Sequence, residues 1–141
     1  MRSFSRPRFR IADSTQQVVG GFLLAGPFVV TEEVWVLATD MSLLQSLSTV
    51  VIVFAIGYAT LYKAADRDPE DEVEVGGIPA RFISLMLVSY GAVAILTLAF
   101  GAPGTFLADL SGLDRLVVTL KAISVGAVFS VVGAATADSV F

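Results

Sequence analysis

Four stretches of mostly apolar residues run along the chain, separated by polar segments or by segments that contain Gly and Pro. Each stretch has the length of about 20 residues that an α-helix needs to cross a hydrocarbon core about 30 Å thick. We predict membrane-spanning helices over residues 16–38, 42–62, 80–100 and 115–136. The pattern therefore predicts an all-α fold, in which a basic tail (1–15) precedes a single four-helix transmembrane domain (16–141).

Capping residues or a proline mark the predicted starts of three of these helices. Ser14 with Gln17, and Ser42 with Gln45, have the spacing of capping boxes before the first and second helices. Pro79 lies directly before the third helix, where its missing N–H does no harm. These signals agree with the starts that hydropathy predicts.

Basic residues in the short loops predict the orientation of the domain, because cytoplasmic loops are enriched in Lys and Arg. Seven basic residues lie in the tail or around the loop between the second and third helices: Arg2, Arg6, Arg8, Arg10, Lys63, Arg67 and Arg81. On the opposite side only Arg115 borders the membrane. We therefore expect a multi-pass protein of the plasma membrane with both termini and the loop 63–79 in the cytoplasm.

The composition supports a membrane protein and excludes several other classes. Hydrophobic residues make up 55% of the chain and charged residues 16%, whereas soluble domains carry about 25% charged residues. The net charge of −4 leaves no basic surface for nucleic acid. The loop 63–79 contains six acidic residues, which fits either a protein in high salt or simply a solvated loop: Asp66, Asp68, Glu70, Asp71, Glu72 and Glu74.

The chain contains no His and no Cys. This excludes thiol chemistry, zinc or haem sites with their usual ligands, and nucleophiles that depend on His. We accordingly predict no metal, no cofactor and no enzyme activity. An intramembrane enzyme that uses two acids for general acid–base chemistry is the weakest hypothesis, since no nucleophile or cofactor motif accompanies them.

Three charged residues inside the predicted spans are the main candidates for a site. Glu32 and Glu33 lie in the first span and Lys121 lies in the fourth. Charges within a span cost free energy and are usually paired or functional. With a rise of 1.5 Å per residue, Glu33 lies roughly 25 Å from the inner end of its helix, and Lys121 roughly 9 Å below the outer start of its own. Similar depth favours an ion pair or a polar pocket, and the alternative is that Lys121 snorkels outward alone.

Other residues would complete a pocket in the outer leaflet. Thr31 and Trp35 flank the two acids, and Gln45 lies at similar depth in the second helix. Pro27 lies one turn before the acids and can kink the helix, because it lacks an N–H and frees a backbone carbonyl. Broken helices supply such carbonyls to cations in transporters, although a simple packing kink is more common.

The first span resembles a family of uncharacterised integral membrane proteins of haloarchaea and bacteria, a domain of unknown function. The resemblance rests on a Pro-x-x-x-Thr-x-Glu-x-Trp motif that Pro27, Thr31, Glu33 and Trp35 match. It implies a helical membrane protein and supplies no activity. Among the two acids it favours Glu33 as the residue to test.

Two hypotheses on function remain open from the sequence. The first is transport of a cation or proton, or a channel, in which Glu33 and Glu32 form the acidic site and Lys121 is the counter-charge. The second is a non-transporting scaffold or accessory subunit, in which a Glu–Lys pair fixes the helix register and a membrane protein is the partner. Four helices cover a polar pocket poorly, so we expect a homo-oligomer in the lipid bilayer.

Overall fold

The computed structural model describes residues 11–64, 68 and 74–140. The first ten residues of the predicted basic tail and most of the acidic loop lie outside this part of the chain. The helices are α1 (Ile11–Val29), α2 (Glu32–Asp40), α3 (Leu43–Tyr58), α4 (Ala80–Ala99), α5 (Ala102–Phe106) and α6 (Gly112–Val140). A π-helical segment, Ala59–Ala64, continues α3, and a small hairpin of β1 (Glu74–Val75) and β2 (Ile78–Pro79) precedes α4.

Helix α6 is the centre of the fold, and it packs against α1, α2, α3 and α4. Helices α1 and α4 also pack against each other, so that α1, α4 and α6 form a three-helix core. Helix α3 lies at the periphery of the bundle. Only 11% of the residues in the apolar stretch of its span are buried, compared with 56% for α6. The face that α3 turns away from α4 and α6 is therefore available to lipid.

Glycines let the backbones of the core helices approach closely. Gly20 of α1 and Gly133 of α6 face each other, and a Cβ atom on either one would collide with the carbonyl oxygen of the other. A Cβ at Gly126 would come within 2.7 Å of Val93 Cγ1 on α4. Small residues at helix contacts are typical of membrane helices, in which close packing drives association.

The predicted first helix, 16–38, is not continuous. Helix α1 ends at Val29, and α2 begins at Glu32 after a bend of 81°. Pro27 contributes to the break, because it cannot donate the hydrogen bond to the carbonyl four residues earlier. Glu32 and Glu33 therefore lie in the first turn of α2, beyond the break, instead of inside one continuous helix.

The other predicted elements agree with the structure to different degrees. The third predicted helix, 80–100, corresponds to α4 within one residue. The fourth predicted helix, 115–136, corresponds to α6, which is longer at both ends. The second, 42–62, corresponds to α3 together with the π-helical segment. The Ser42–Gln45 capping box is confirmed, whereas Ser14 and Gln17 lie inside α1 and cap nothing.

Three helical segments are long and apolar enough to cross a membrane: Leu43–Lys63, Ala80–Ala99 and Gly112–Ser139. The bent pair α1 and α2 passes the same criteria when it is taken as one span, which gives up to four. The described part of the chain is thus a helical bundle of the polytopic membrane type.

Candidate functional site

A buried cluster of charged side chains joins the ends of α1, α4 and α6. The Arg81 guanidinium on α4 donates from Nη1 to Asp138 Oδ1 on α6 at 2.7 Å, and from Nη2 to Asp13 Oδ2 on α1 at 3.4 Å. The side chains of Arg81 and Asp138 are only 4% and 0% exposed. Both residues also lie inside candidate membrane spans. One cation and two carboxylates are therefore held together inside the helical bundle.

Gln17 extends this cluster into a chain of hydrogen bonds. Its Nε2 donates to Asp138 Oδ2 at 3.1 Å and, at the longer distance of 3.5 Å, to the Arg81 carbonyl oxygen. Its Oε1 accepts a hydrogen bond from Ser84 Oγ at 2.7 Å. Ser84 Oγ lies 3.0 Å from Ser14 Oγ, and either hydroxyl can be the donor in that pair. Gln17 is fully buried, so both ends of its amide are paired with protein groups.

The positions of these charges on their helices explain why they need one another. Arg81 is the second residue of α4, where the positive end of the helix dipole disfavours a cation, and Asp138 lies in the last turn of α6, where the negative end disfavours an anion. The ion pair between Arg81 and Asp138 offsets both unfavourable interactions with the helix dipoles. Asp13 lies in the first turn of α1, where its negative charge is favoured.

The sequence pattern does not predict this cluster, because it places Arg81 among the loop charges that set orientation and Gln17 in a helix cap. A signal was present, because Val131, Ala134, Ala135 and Asp138 recur at helical spacing and so place Asp138 on the apolar stripe of α6. All four residues are buried. An acid on an apolar stripe requires a partner, and helix packing supplies Arg81.

At the other end of the bundle, the predicted acidic residues lie on the surface. Glu32 and Glu33 are both exposed and occupy the first turn of α2, where the helix dipole favours negative charge. Lys121 is half-buried, and its Nζ donates to the Met41 carbonyl oxygen at 2.7 Å. In the described chain no ion pair joins Lys121 to Glu33. The structure therefore does not bring the predicted Glu–Lys pair together.

The other motif residues stabilise the corner between α1 and α2. Thr31 donates to the Phe28 carbonyl oxygen from both its backbone N, at 3.2 Å, and its Oγ1, at 2.9 Å. The indole Nε1 of Trp35, which is 1% exposed, donates to the Val29 carbonyl oxygen at 3.0 Å. These bonds occupy two carbonyls that a break in the helix would otherwise leave without donors. Thr31 and Trp35 thus have a structural role at the bend.

The remaining pocket candidate also has a local role. Gln45 completes the capping box at the start of α3, where its Oε1 accepts from the Ser42 backbone N at 2.8 Å. A cavity of about 130 Å³ does lie beside the bend. It is lined by Val29, Val30, Phe100, Ala102, Thr105 and Phe106. None of the predicted site residues lines this cavity.

Within the described residues, no group of three or more His, Cys, Asp or Glu side chains could hold a metal ion. The chemistry that the buried cluster offers is ionic and hydrogen-bonding. Two carboxylates there share one guanidinium through separate nitrogens, and an amide and two hydroxyls connect to Asp138. The cluster therefore places charge and hydrogen-bonding groups inside the bundle.

The apolar spans, the glycine-mediated helix contacts and the buried ionic cluster define a polytopic helical integral membrane protein. The chain matches a family profile over residues 5–140, and it belongs to that family, described as "Putative integral membrane protein (DUF2391)". This confirms the resemblance carried by the first-span motif. Comparisons with curated proteins and with solved structures give no match.

Proposed function

We propose that this protein transports protons or small cations across the membrane, and that the cluster of Asp13, Arg81 and Asp138 is its ion-handling site. The observation that carries the proposal is the burial of Arg81 and Asp138 at the ends of two candidate membrane spans. Ionisable residues in such positions cost free energy and commonly mark ion or proton pathways.

The acidic residues at the opposite end of the bundle support the same proposal. Glu32 and Glu33 are exposed there, so they can attract cations from solvent while both the carboxylates and the cations stay hydrated. Lys121 donates instead to the Met41 carbonyl oxygen, at the other end of α2 from the two acids. We therefore propose that Glu33 and Glu32 attract cations at the surface, and that neither forms an ion pair with Lys121.

The test is an ion-flux assay on purified protein in liposomes that contain a pH-sensitive dye. Proton, sodium, potassium and calcium gradients are imposed in turn. We expect the wild type to dissipate at least one gradient, Asp138→Asn to abolish that flux, and Glu33→Gln to reduce it. Glu74→Gln, an exposed acid on β1, is the matched control and should retain the flux.

Two outcomes would refute transport. One is a folded, inserted wild-type protein that dissipates none of the four gradients. The other is an Asp138→Asn variant that folds and retains wild-type flux, since it would show that the cluster has no part in the movement of ions.

A non-transporting scaffold or accessory subunit is the second candidate. A specific observation favours it, because only 11% of the residues in the apolar stretch of the α3 span are buried by the rest of the chain. In this role the buried cluster would fix how α1, α4 and α6 pack, and α3 would contact another membrane protein. The expected result is co-purification of a partner from native membranes, and the loss of that partner after substitutions on the exposed side of α3 that leave the fold intact.

We further propose a homo-oligomer in the plasma membrane, with both termini in the cytoplasm. The distribution of Lys and Arg supports the orientation. It can be tested by cysteine labelling from either side of sealed vesicles, because the chain has no natural Cys. Crosslinking in the membrane tests the oligomer.

A further inference from the structure

We infer that water binds at two levels inside the three-helix core, on the hydroxyls of Ser89 and Thr97, and that Val93 forms an apolar constriction between them. Buried water typically bonds to polar groups that lack a protein partner. The inference deepens the proposed function by naming a path through the bundle, and in that respect it rests on the proposed function. The binding of water is tested without reference to transport.

Two hydroxyl groups along α4 are buried without a protein partner. Ser89 Oγ and Thr97 Oγ1 form no hydrogen bond with any group in the described part of the chain, and both residues are 0% exposed. Both lie within the candidate span Ala80–Ala99. A buried polar group costs free energy there unless it forms a hydrogen bond. Each of the two hydroxyls therefore requires a partner.

The two hydroxyls also differ from others on the helices of this chain. Several Ser and Thr side chains donate to the carbonyl oxygen four residues earlier: Thr15, Thr39, Ser46, Ser48, Thr49 and Thr119. This local bond is a common one for hydroxyls in helices, and Ser89 and Thr97 do not make it. Their hydroxyls are therefore turned away from the nearest acceptor in their own helix.

Ser89 lies at a level where α1, α4 and α6 meet. Its neighbours Val88 and Ala92 approach Gly21 of α1, because a Cβ atom on Gly21 would lie 3.6 Å from each of these side chains. Ser130 Oγ of α6 donates to the Gly21 carbonyl oxygen at 3.3 Å. This level thus contains two hydroxyls and a carbonyl group, which match the about three hydrogen bonds that a buried water makes.

The Ser89 level follows directly on the buried cluster. Gln17, which accepts from Ser84 Oγ at 2.7 Å, lies one helical turn before Gly21 on α1. Ser84 itself lies just over one turn before Ser89 on α4. Polar groups therefore continue from the cluster toward the middle of the bundle.

Thr97 lies toward the opposite end of α4, near a cavity. Phe100, three residues later, lines the cavity of about 130 Å³ beside the bend between α1 and α2. One water molecule requires only about 10–15 Å³ of such space. The Thr97 level is thus close to a space that can hold water.

Val93 separates the two levels, since it lies one turn from each hydroxyl. It is 0% exposed and packs in an apolar cluster with Ala25 and Val29 of α1. A Cβ atom on Gly126 of α6 would lie 2.7 Å from Val93 Cγ1, so α4 and α6 are in close contact at this point. Apolar constrictions of this kind stop ions in channels by excluding water.

Solid-state NMR of isotope-labelled wild-type protein in lipid vesicles tests the inference through magnetisation transfer from water protons. We expect fast transfer to Ser89 and Thr97, and slow transfer to Val93, which is the matched control because it is equally buried on the same helix. Thr97→Val removes one hydroxyl with little change in shape. It should abolish fast transfer at position 97 and leave the transfer to Ser89 unchanged.

Two results would overturn the inference. Slow transfer to both Ser89 and Thr97 would show dry hydroxyls that turn back to carbonyls of their own helix. Equally fast transfer to all three residues would show that Val93 forms no constriction. Both results come from wild-type protein, so neither depends on whether a variant folds.

The link to transport is tested separately with Val93→Ser in the liposome flux assay. We expect faster dissipation of the gradient than in wild type, because a polar side chain lets water connect the two levels. Leu87→Ser, at an exposed position of α4, is the matched control and should leave the flux unchanged. Unchanged flux in a folded Val93→Ser variant would overturn the path past Val93. Fast transfer to Ser89 and Thr97 in a protein without any flux supports the water sites and refutes transport.

Discussion

The Nζ of Lys121 donates to the Met41 carbonyl oxygen at 2.7 Å, and it thereby ties the central helix α6 to the carboxyl end of α2. Met41 follows the last residue of α2, where carbonyl groups lack helical donors and a positive charge is favourable. The cation that hydropathy assigns to an acidic pocket thus has a defined structural partner in the backbone.

This contact predicts how Lys121 and Glu33 behave in a double-mutant cycle. Lys121→Met should lower the free energy of unfolding by about 1.5–3 kcal/mol, the range for hydrogen bonds from charged groups. Glu33→Gln should add to it independently, with a coupling energy below about 0.5 kcal/mol, because the two side chains do not meet. Denaturant unfolding in detergent micelles measures both. A coupling of 1 kcal/mol or more, on the order expected for contacting residues, would instead favour the ion pair.

A second prediction concerns the buried cluster. Arg81→Met leaves two carboxylates without their guanidinium, and the loss of one partner of a buried ion pair typically costs about 3–5 kcal/mol. Lys63→Met removes an exposed cation and should change the free energy of unfolding by less than about 0.5 kcal/mol. Thermal unfolding followed by circular dichroism compares the two. Equal stabilities would show that the cluster does not hold the helices together.

The contact between α1 and α4 predicts a crosslink. The Oγ atoms of Ser14 and Ser84 are 3.0 Å apart, and the chain contains no natural Cys. Ser14→Cys combined with Ser84→Cys should therefore form an intramolecular disulfide on mild oxidation, which mass spectrometry detects. Ser48→Cys with Ser84→Cys is the control, because Ser48 is exposed near the start of α3. Equal crosslinking of both pairs would contradict the arrangement of the core helices.

The sequence predicted the elements of this fold better than the contacts between them. Long apolar runs are a local signal, so α4 was predicted within one residue and the capping box at Ser42 was correct. Pro27 predicted a kink in the first helix, but not a break of 81° at Thr31, because a run that continues through Val34 and Trp35 looks the same whether the helix is straight or bent. The buried cluster depends on residues as far apart as Gln17 and Asp138. Only the packing of α1, α4 and α6 brings them together.

The close approach of α1 and α6 predicts an asymmetric response to alanine. Gly133→Ala places a methyl group against the Gly20 carbonyl, and both groups are part of rigid helix backbone. We expect it to lower the free energy of unfolding by about 1–3 kcal/mol, as is usual when a packed core is overfilled. Gly91→Ala on α4 is the matched control, since a Cβ there meets nothing within 4 Å. If both variants were equally stable, the two helices could not be in backbone contact.

The bend between α1 and α2 predicts different roles for two threonines, one at the bend and one within α2. Thr31 Oγ1 donates to the Phe28 carbonyl oxygen at the break, whereas Thr39 Oγ1 donates to the Trp35 carbonyl oxygen within α2. Thr31→Val should lower the free energy of unfolding by about 0.5–1.5 kcal/mol, the usual net value of one hydrogen bond. The backbone N of Thr31 still caps Phe28, which keeps the loss at this level.

Thr39→Val provides the comparison. The Trp35 carbonyl oxygen keeps its helical backbone donor, so the free energy of unfolding should change by no more than about 0.5 kcal/mol. Trp35 is the only tryptophan in the chain and is almost completely buried at the bend, so its fluorescence reports the opening of α2 directly. Thr31→Val should make Trp35 more accessible to acrylamide, and Thr39→Val should not. Similar quenching in both variants would mean that Thr31 does not hold the corner, and that Trp35 and its bond to Val29 are sufficient to maintain it.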